Sequence, residues 1–283
     1  MRMMVEKAIE IIRLHAHNPV PVPKRGYGQM GDEDPNDLAT QGDIEAQAHY
    51  RETILATPGL NNFGIIGEEG LYLPCTHPTH NLYFTCDPLD GTKAYDRKQT
   101  HGVGTMLALV CNSETIAACI GDANNGETYL WVKGGPVIRR RFGVDEELKP
   151  GNKTLKKQYI LLRERMCKHH PRIADMAEAE GDRQLFKDVE IGGGSIGCHM
   201  ARLWIGEVGA TVLNQKFVTP WDDTPVNAIS RALGFVHLDF EPTTGEFTEY
   251  EPAILTEVTP RHRTTLIIHR DNLPELKAWL ANN

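Results

Sequence analysis

The feature that most constrains the fold is the junction at residues 82–96, where the apolar run "LYFTC" passes into "DPLDGTKAYD". The run has the length and side chains of a buried strand. Pro88 has no N–H to give a sheet and fixes its own φ, so the strand is expected to stop there. Gly91 then permits a turn, and the N–H groups of Gly91 and Thr92 open a helix. Such a helix start attracts an anion, yet two carboxylates, Asp87 and Asp90, stand three residues apart beside it. An anion and two carboxylates share a site only with cations between them. Hard cations such as Mg2+ take carboxylate and backbone carbonyl oxygens and keep waters that a substrate displaces. The hexapeptide 87–92 therefore reads as metal plus phosphate.

Three other readings compete for the same residues. An Asp-Gly turn with a capping aspartate forms for structural reasons alone. A calcium loop of the EF-hand kind needs D-x-D-x-D-G and a distal glutamate, and that spacing is absent. Haloacid dehalogenase phosphatases end a strand in D-x-D-G-T, but here Pro88 occupies the place of the aspartate nucleophile. Two further acidic clusters tip the balance. "GIIGEEG" places Glu68 and Glu69 after an apolar strand, and "TPWDDTPVNAI" places Asp222 at the expected N-cap of a helix. Each alone reads as a solvated turn or a plain cap. Together, at strand exits and helix starts, they are expected to converge on one end of a sheet.

At 283 residues the chain is one large domain or two modest ones, with room for a substantial core. Helical spacing predicts helices over 4–16 and 43–56, with a Pro-, Gly- and acid-rich loop at 19–37. Short strands follow at 62–66, 82–86, 103–110, 115–121 and 128–132, the third and fourth joined through "CNSE" as a hairpin. The charged stretch "RFGVDEELKPGNKTLKK" (141–157) is the candidate boundary. Beyond it strands alternate with helices, including "IGCHMARLWIGEVGA" and "WDDTPVNAISRALGF", the latter closed by Gly234. The class is α/β or α+β.

A net charge of −8 argues against nucleic acid or anionic membrane as partner. An acidic protein that handles phosphate esters also needs cations to offset its own charge. No apolar run approaches the ~20 residues of a membrane span, and the N-terminus lacks the uninterrupted core of a signal peptide. Six cysteines without a CxxC pair read as reduced thiols of a cytoplasmic protein. Cys75, His77 and His80 in "CTHPTH" fall short of the four ligands of structural zinc and read as loop. Trp131, Trp204 and Trp279 read as core or interface rather than as ligand platforms.

The sequence "GEE", then "DPLDGT", then "WDD", in this order and spacing, resembles the inositol monophosphatase family of Mg2+-dependent, lithium-sensitive phosphatases. "DLATQGD" (37–43) is similar to the family's D-L-V-T-x-x-D segment, and "GGGSIG" (192–197) to its Gly-Ser/Thr turn before a substrate-side helix. The resemblance spans about residues 37–235. It implies a layered αβαβα sandwich, with an N-terminal subdomain (1–145) carrying an antiparallel sheet and most ligands. A C-terminal α/β subdomain (146–283) would supply Asp222 and the substrate side. By position it implies metal ligation by Glu68, Asp87, the Leu89 carbonyl, Asp90 and Asp222, with Asp43 near a third, weaker ion. Gly91 and Thr92 match the phosphate turn, and Lys93, Ser195 and Gln215 fall on the substrate side.

The implied chemistry is hydrolysis of a small polyol phosphate with two or three Mg2+ ions and no covalent phosphoenzyme. Glu68 and Thr92 would position and deprotonate the attacking water, and the metal held by Asp87, Asp90 and Asp222 would stabilise the leaving oxygen. Two cations about 4 Å apart suit both tasks. A homodimer acting on a small phosphorylated metabolite is the family expectation. Departures keep the substrate open. No lysine stands in register before "DLATQGD", where Lys24 and Arg25 are the nearest cations. Gln215 replaces a glutamate, and Asp223 and Thr224 replace small residues after "WD". Lys93, with Arg97 and Lys98, resembles the D-G-T-K of members that act on phosphoadenosine phosphate or histidinol phosphate. Those two and fructose bisphosphate are therefore the alternatives, with a non-catalytic family member outside the class.

Overall fold

The computed structural model describes residues 1–22, 39–151, 153–178 and 183–283. Most of the predicted 19–37 loop, with Lys24, Arg25 and the first two residues of "DLATQGD", lies outside the described residues.

The first half of the chain begins with α1 (Arg2–His15), β1 (Pro21–Val22), β2 (Ala39–Thr40) and α2 (Gln41–Ala56). It continues with β3 (Gly64–Gly67), β4 (Tyr72–Leu73), β5 (Leu82–Asp90) and α3 (Thr92–Asp96). Then come β6 (Gly104–Cys111), β7 (Glu114–Asp122), β8 (Glu127–Val132), β9 (Ile138–Arg141) and β10 (Val144–Glu147). Eight of these strands make one sheet in the order β10-β9-β8-β7-β6-β5-β3-β4, antiparallel except where β3 lies parallel to β5.

The second half runs β11 (Tyr159–Leu162), α4 (Pro171–Glu178), β12 (Asp188–Ile191), α5 (Ile196–Trp204), β13 (Ala210–Leu213) and β14 (Phe217–Val218). It closes with α6 (Pro220–Ala232), β15 (Phe235–Glu241), β16 (Glu246–Tyr250), β17 (Thr259–Pro260), β18 (Thr264–His269) and α7 (Leu273–Asn282). Its six-stranded sheet is ordered β12-β11-β13-β18-β15-β16, with β11 parallel to both neighbours and the other pairs antiparallel.

Apolar patterning stacks these pieces as αβαβα, as expected. Val5, Ala8 and Ile12 of α1 and Ala46, Tyr50 and Ile54 of α2 cover Phe84, Cys86, Leu107 and Cys119 on one face of the first sheet. The opposite face, through Met106, Ala118 and Ile120, meets α5 and α6, whose other side reaches Leu161 and Ile267 of the second sheet. Trp204 is fully buried in this middle layer, and its Nε1 donates to Ser230 Oγ at 3.0 Å, joining α5 to α6. Ile173 and Met176 of α4, with Leu276 and Trp279 of α7, close the far side of the second sheet. Each such side chain contributes about 1.5–3 kcal/mol on burial.

The 103–121 hairpin forms as predicted. Asn112 and Ser113 both take positive φ, 48° and 66°, as a two-residue turn of this kind requires. Two expectations are corrected. Strand β5 does not stop before Pro88 but continues to Asp90. The predicted helix from Ile196 to Ala210 ends at Trp204, because Gly206 takes φ 72° and turns the chain. The charged stretch after Arg141 is partly ordered as the hairpin of β9 and β10. No helix among the described residues is long and apolar enough to cross a membrane.

Candidate metal and phosphate site

Strand β5 is buried along its whole length and delivers both aspartates. In a regular strand, residues three apart face opposite sides of the sheet. Here β5 pairs with β6 as far as Asp87 opposite Met106 and resumes at Asp90 opposite Gly104, so two residues oppose one. The extra residue is a bulge, which accommodates Pro88 where the ladder is interrupted and turns Asp87 and Asp90 toward a common point. Leu89 N–H donates to Asp87 Oδ1 at 2.9 Å and Thr105 Oγ1 donates to the Asp87 carbonyl at 3.0 Å, which fixes the bulge from inside.

Asp90 is seated on the start of α5. Ile196 N–H donates to its Oδ1 at 3.0 Å, Gly197 N–H donates to its Oδ2 at 2.8 Å, and the Ser195 hydroxyl donates to Oδ2 as well. The helix dipole adds to these bonds. Ser195 is fully buried and its oxygen also accepts from Cys198 N–H at 2.9 Å, as an N-cap does. This residue, expected on the substrate side, is thus spent beneath Asp90.

Asp222 arrives from the first turn of α6. The cap is Thr219 with Pro220 following, not Asp222 as the sequence suggested. Thr219 Oγ1 donates to Asp222 Oδ2 at 2.6 Å, while the reach-back to Thr219 N–H is made by Asp223 Oδ2 at 2.9 Å. Arg261 pairs with the other Asp223 oxygen at 2.7 Å. Asp223 thereby takes over the capping duty, and Asp222 Oδ1 is left buried with no hydrogen-bond partner among the described residues.

Ligating oxygens of Asp87, Asp90 and Asp222 lie within 4.8 Å of one another, the one such acidic or His/Cys group among the described residues. Three carboxylates that close repel by on the order of 3–4 kcal/mol per charged pair at an effective dielectric of about 20. Burial first, then the charges of Glu68, Asp222 and Asp90, hold the Asp87 carboxyl well above its usual range. Burial, with Asp90 and Glu68, pushes Asp222 up to about 8. An orphaned carboxylate oxygen, an all-oxygen donor set and mutual repulsion together fit hard divalent cations.

Glu68 follows β3, with its N–H on the Cys86 carbonyl at 3.2 Å. It stands outside the tight trio, yet its charge raises Asp43, Asp87 and Asp222. The neighbouring Glu69 is the more buried of the pair, and Gln47 of α2 clamps its backbone N–H and C=O, both at 3.2 Å. Asp43 is fully buried at the third position of α2, where its Oδ2 accepts from Thr40 N–H at 2.7 Å and Thr40 Oγ1 at 2.6 Å. Its Oδ1 lies 3.3 Å from Thr92 Oγ1, which also lies 3.2 Å from the Leu89 carbonyl; one hydroxyl proton serves both acceptors. Burial, with Glu68 adding, pushes Asp43 up to about 7.

Gly91 takes φ 94° at the start of the single-turn α3, and a Cβ there would strike the Gly102 carbonyl and Ser195. Lys93 is exposed on α3, and Gln215 is exposed between β13 and β14. Cys75, His77 and His80 form no metal-ligating group; Cys75 Sγ accepts from Leu82 N–H at 3.3 Å, and all six cysteines are free. A cleft of about 170 Å³ opens beside Asp222, walled by Arg163, Asn214, Lys216, Phe217 and the Asp223–Arg261 pair. Gln47, Thr219, Arg163 and Arg261 escaped sequence reading, because none sits in a local pattern that marks it.

No curated protein matches the chain by sequence. Among solved structures, it is similar to the IMPase of Thermotoga maritima, with TM-score 0.70 and 18% identity over 99% of this chain and 96% of that one. The extragenic suppressor protein SuhB from Bartonella henselae gives TM-score 0.70 and 16% identity over 99% and 96%. An IMPase/NADP phosphatase complexed with Mg2+ and phosphate gives TM-score 0.69 and 15% identity over 98% and 92%. At such identities the likeness shows the fold. The sequence pattern of the family described as "Inositol monophosphatase family" matches residues 2–275, nearly the whole chain, and the chain therefore belongs to the inositol monophosphatase family of phosphatases.

Proposed function

We propose that the protein is a Mg2+-dependent phosphomonoesterase acting on a small polyol phosphate such as inositol monophosphate. The observation that carries this reading is the trio Asp87, Asp90 and Asp222, whose ligating oxygens crowd within 4.8 Å with one of them orphaned. Asp87, Asp90, Asp222, Glu68 and the Leu89 carbonyl would hold two ions, with Asp43 near a third. Bound there, the cations supply a nucleophile from water near neutral pH and neutralise charge on the departing oxygen.

The chain's own groups do the rest. If the Leu89 carbonyl helped to hold an ion, the Thr92 hydroxyl would direct its hydrogen bond to Asp43 Oδ1 and keep its lone pairs for a water O–H. Glu68, half-buried beside the trio, takes that water's proton. Backbone N–H groups of Gly91 and Thr92 take phosphate oxygens where a Cβ would close the approach. Lys93 adds charge on the same turn, and Gln215 hydrogen-bonds a substrate hydroxyl. Ser195 positions Asp90. The reading also takes 1–145 and 146–283 as subdomains meeting at the site, in a lithium-sensitive cytoplasmic homodimer. Family membership and the assignment of one sheet to each chain half support it.

The test is phosphate release, with and without Mg2+, from inositol monophosphate, phosphoadenosine phosphate, histidinol phosphate and fructose bisphosphate. Mg2+-dependent release is expected, strongest on the polyol monophosphate, and Asp90→Asn should abolish it while circular dichroism stays unchanged. A folded protein that releases no phosphate from any of the four refutes the reading in favour of a non-catalytic family member.

A further inference from the structure

We propose that Gln47 is a positioning residue for the metal centre: its amide fixes the turn that carries Glu68, and the affinity for Mg2+ depends on it. The inference rests on the phosphatase reading above and adds to it a residue outside the acidic set.

Strand register shows why this turn has to be held. β3 lies parallel to β5 with Gly67 opposite Cys86, which brings Glu68 abreast of Asp87 at the end of the sheet. β3 ends at Gly67. Beyond it Glu68 N–H still reaches the Cys86 carbonyl at 3.2 Å, and the chain then folds back with Gly70 N–H on the Glu68 carbonyl at 2.9 Å. Gln47 takes the two backbone groups of the residue between: its Oε1 accepts from Glu69 N–H and its Nε2 donates to the Glu69 carbonyl, each at 3.2 Å. Gly67 admits the amide, because a Cβ there would come within 2.6 Å of Gln47 Oε1. The amide is matched to its task. A carboxylate at 47 would accept from the N–H but set its lone pairs against the carbonyl, and would add a charge beside an acidic cluster.

Gln47 is also one of three groups on one face of α2. Asp43, Gln47 and Tyr50 stand at i, i+4 and i+7, which a helix stacks along a single side. Asp43 Oδ1 meets the Thr92 hydroxyl at 3.3 Å, at the start of α3. Tyr50 donates to Thr105 Oγ1 at 2.7 Å, and Thr105 donates to the Asp87 carbonyl at 3.0 Å, in the β5 bulge. One helix therefore touches all three segments that carry Thr92, Glu68 and Asp87. It is held firmly itself: Ala46, Tyr50 and Ile54 are fully buried against the first sheet, and Thr40 and Asp43 cap its start. With a fixed rise of about 1.5 Å per residue, α2 sets the spacing of the three segments. Gln47 is the half-buried member of the trio, so its bonds can be removed while the core stays intact. A carboxylate that is already placed loses less conformational entropy when an ion arrives, and the affinity rises accordingly.

The experiment titrates Mg2+ into the metal-stripped protein by calorimetry and follows phosphate release from inositol 1-phosphate, for the unaltered chain, Gln47→Met, Gln47→Asn and His49→Ala. Met keeps the length and loses both bonds, whereas Asn keeps the amide and falls one methylene short. Each should weaken Mg2+ binding by about tenfold or more and lower kcat at a fixed Mg2+ concentration. KM for the ester should stay within about threefold, because Gln47 does not meet the substrate. His49→Ala removes a different contact of the same helix, from His49 Nε2 to the Met4 carbonyl at 3.1 Å. It should lower the urea midpoint and leave the Mg2+ affinity within about threefold. Folded Gln47→Met and Gln47→Asn proteins that bind Mg2+ within threefold of the unaltered chain overturn the inference and leave the proposed function standing. A loss in His49→Ala equal to that in Gln47→Met also overturns it, since the role is then general stability. Where one Gln47 variant fails to fold, the other decides, and failure of both makes Gln47 a folding residue and sinks the inference. An unaltered chain that binds no Mg2+ refutes the phosphatase reading itself.

Discussion

Replacing Ser195 by Ala tests whether Asp90 is held by the start of α5. The hydroxyl gives one of the two donors to Asp90 Oδ2 and accepts the Cys198 N–H, all in a fully buried setting. A hydrogen bond to a charged group contributes about 1.5–3 kcal/mol, and loss of a serine N-cap costs about 1 kcal/mol more. The expected loss is therefore about 2.5–4 kcal/mol, read as a fall of roughly 4–7 °C in Tm for a chain of this size. Urea unfolding of Ser195→Ala, Asp90→Asn and the double variant, each in EDTA, separates the pair from the cap. The coupling between the two positions should be about 1.5–3 kcal/mol, because residues in direct contact are not additive. A coupling below about 0.5 kcal/mol would refute the seat, and Asp90 would then owe its position to the β5 bulge alone.

Two further outcomes follow from the same geometry. The carboxyls of Asp43 and Asp222 are raised from 3.8 to about 7 and about 8, so they stabilise the metal-free fold only while protonated. That stability is complete below the unfolded pKa and is lost as pH rises through the folded values. The Tm of the EDTA-treated protein should therefore fall between about pH 4 and 8, and the gain on adding Mg2+ should grow over the same range. A metal-free Tm that is flat or rising across this window counts against the buried acidic cluster. Arg261→Ala strands Asp223, whose side chain is only 15% exposed, and should cost about 3–5 kcal/mol. Adding Asp223→Ala should restore part of it in the same denaturation assay, and no restoration means that the arginine acts by packing.

What the sequence determined by itself is the chemistry that each segment carries. Helical spacing in Val5, Ala8, Ile9 and Ile12 predicts a face that α1 does bury, and the Asn112-Ser113 turn closes the hairpin where "CNSE" predicts it. The acidic identities at 87, 90 and 222 already point to a cation site. These are local signals, set by side-chain type and period over a few residues. Only the tertiary structure decided that the three carboxylates converge. Asp87 and Asp90 would face opposite sides of a regular strand, and it is the offset pairing with β6, invisible in β5 alone, that turns them together. The division of labour in "WDD" is likewise tertiary: Asp223 reaches back to the N–H of the cap residue Thr219 while Arg261, 38 residues later, balances its charge, and an oxygen of Asp222 is left free. Ser195 reads from sequence as a substrate-side residue, and becomes a support for Asp90 only because α5 starts against β5. A sequence states which groups are present; long-range packing sets their distances, and charge interactions depend on those distances.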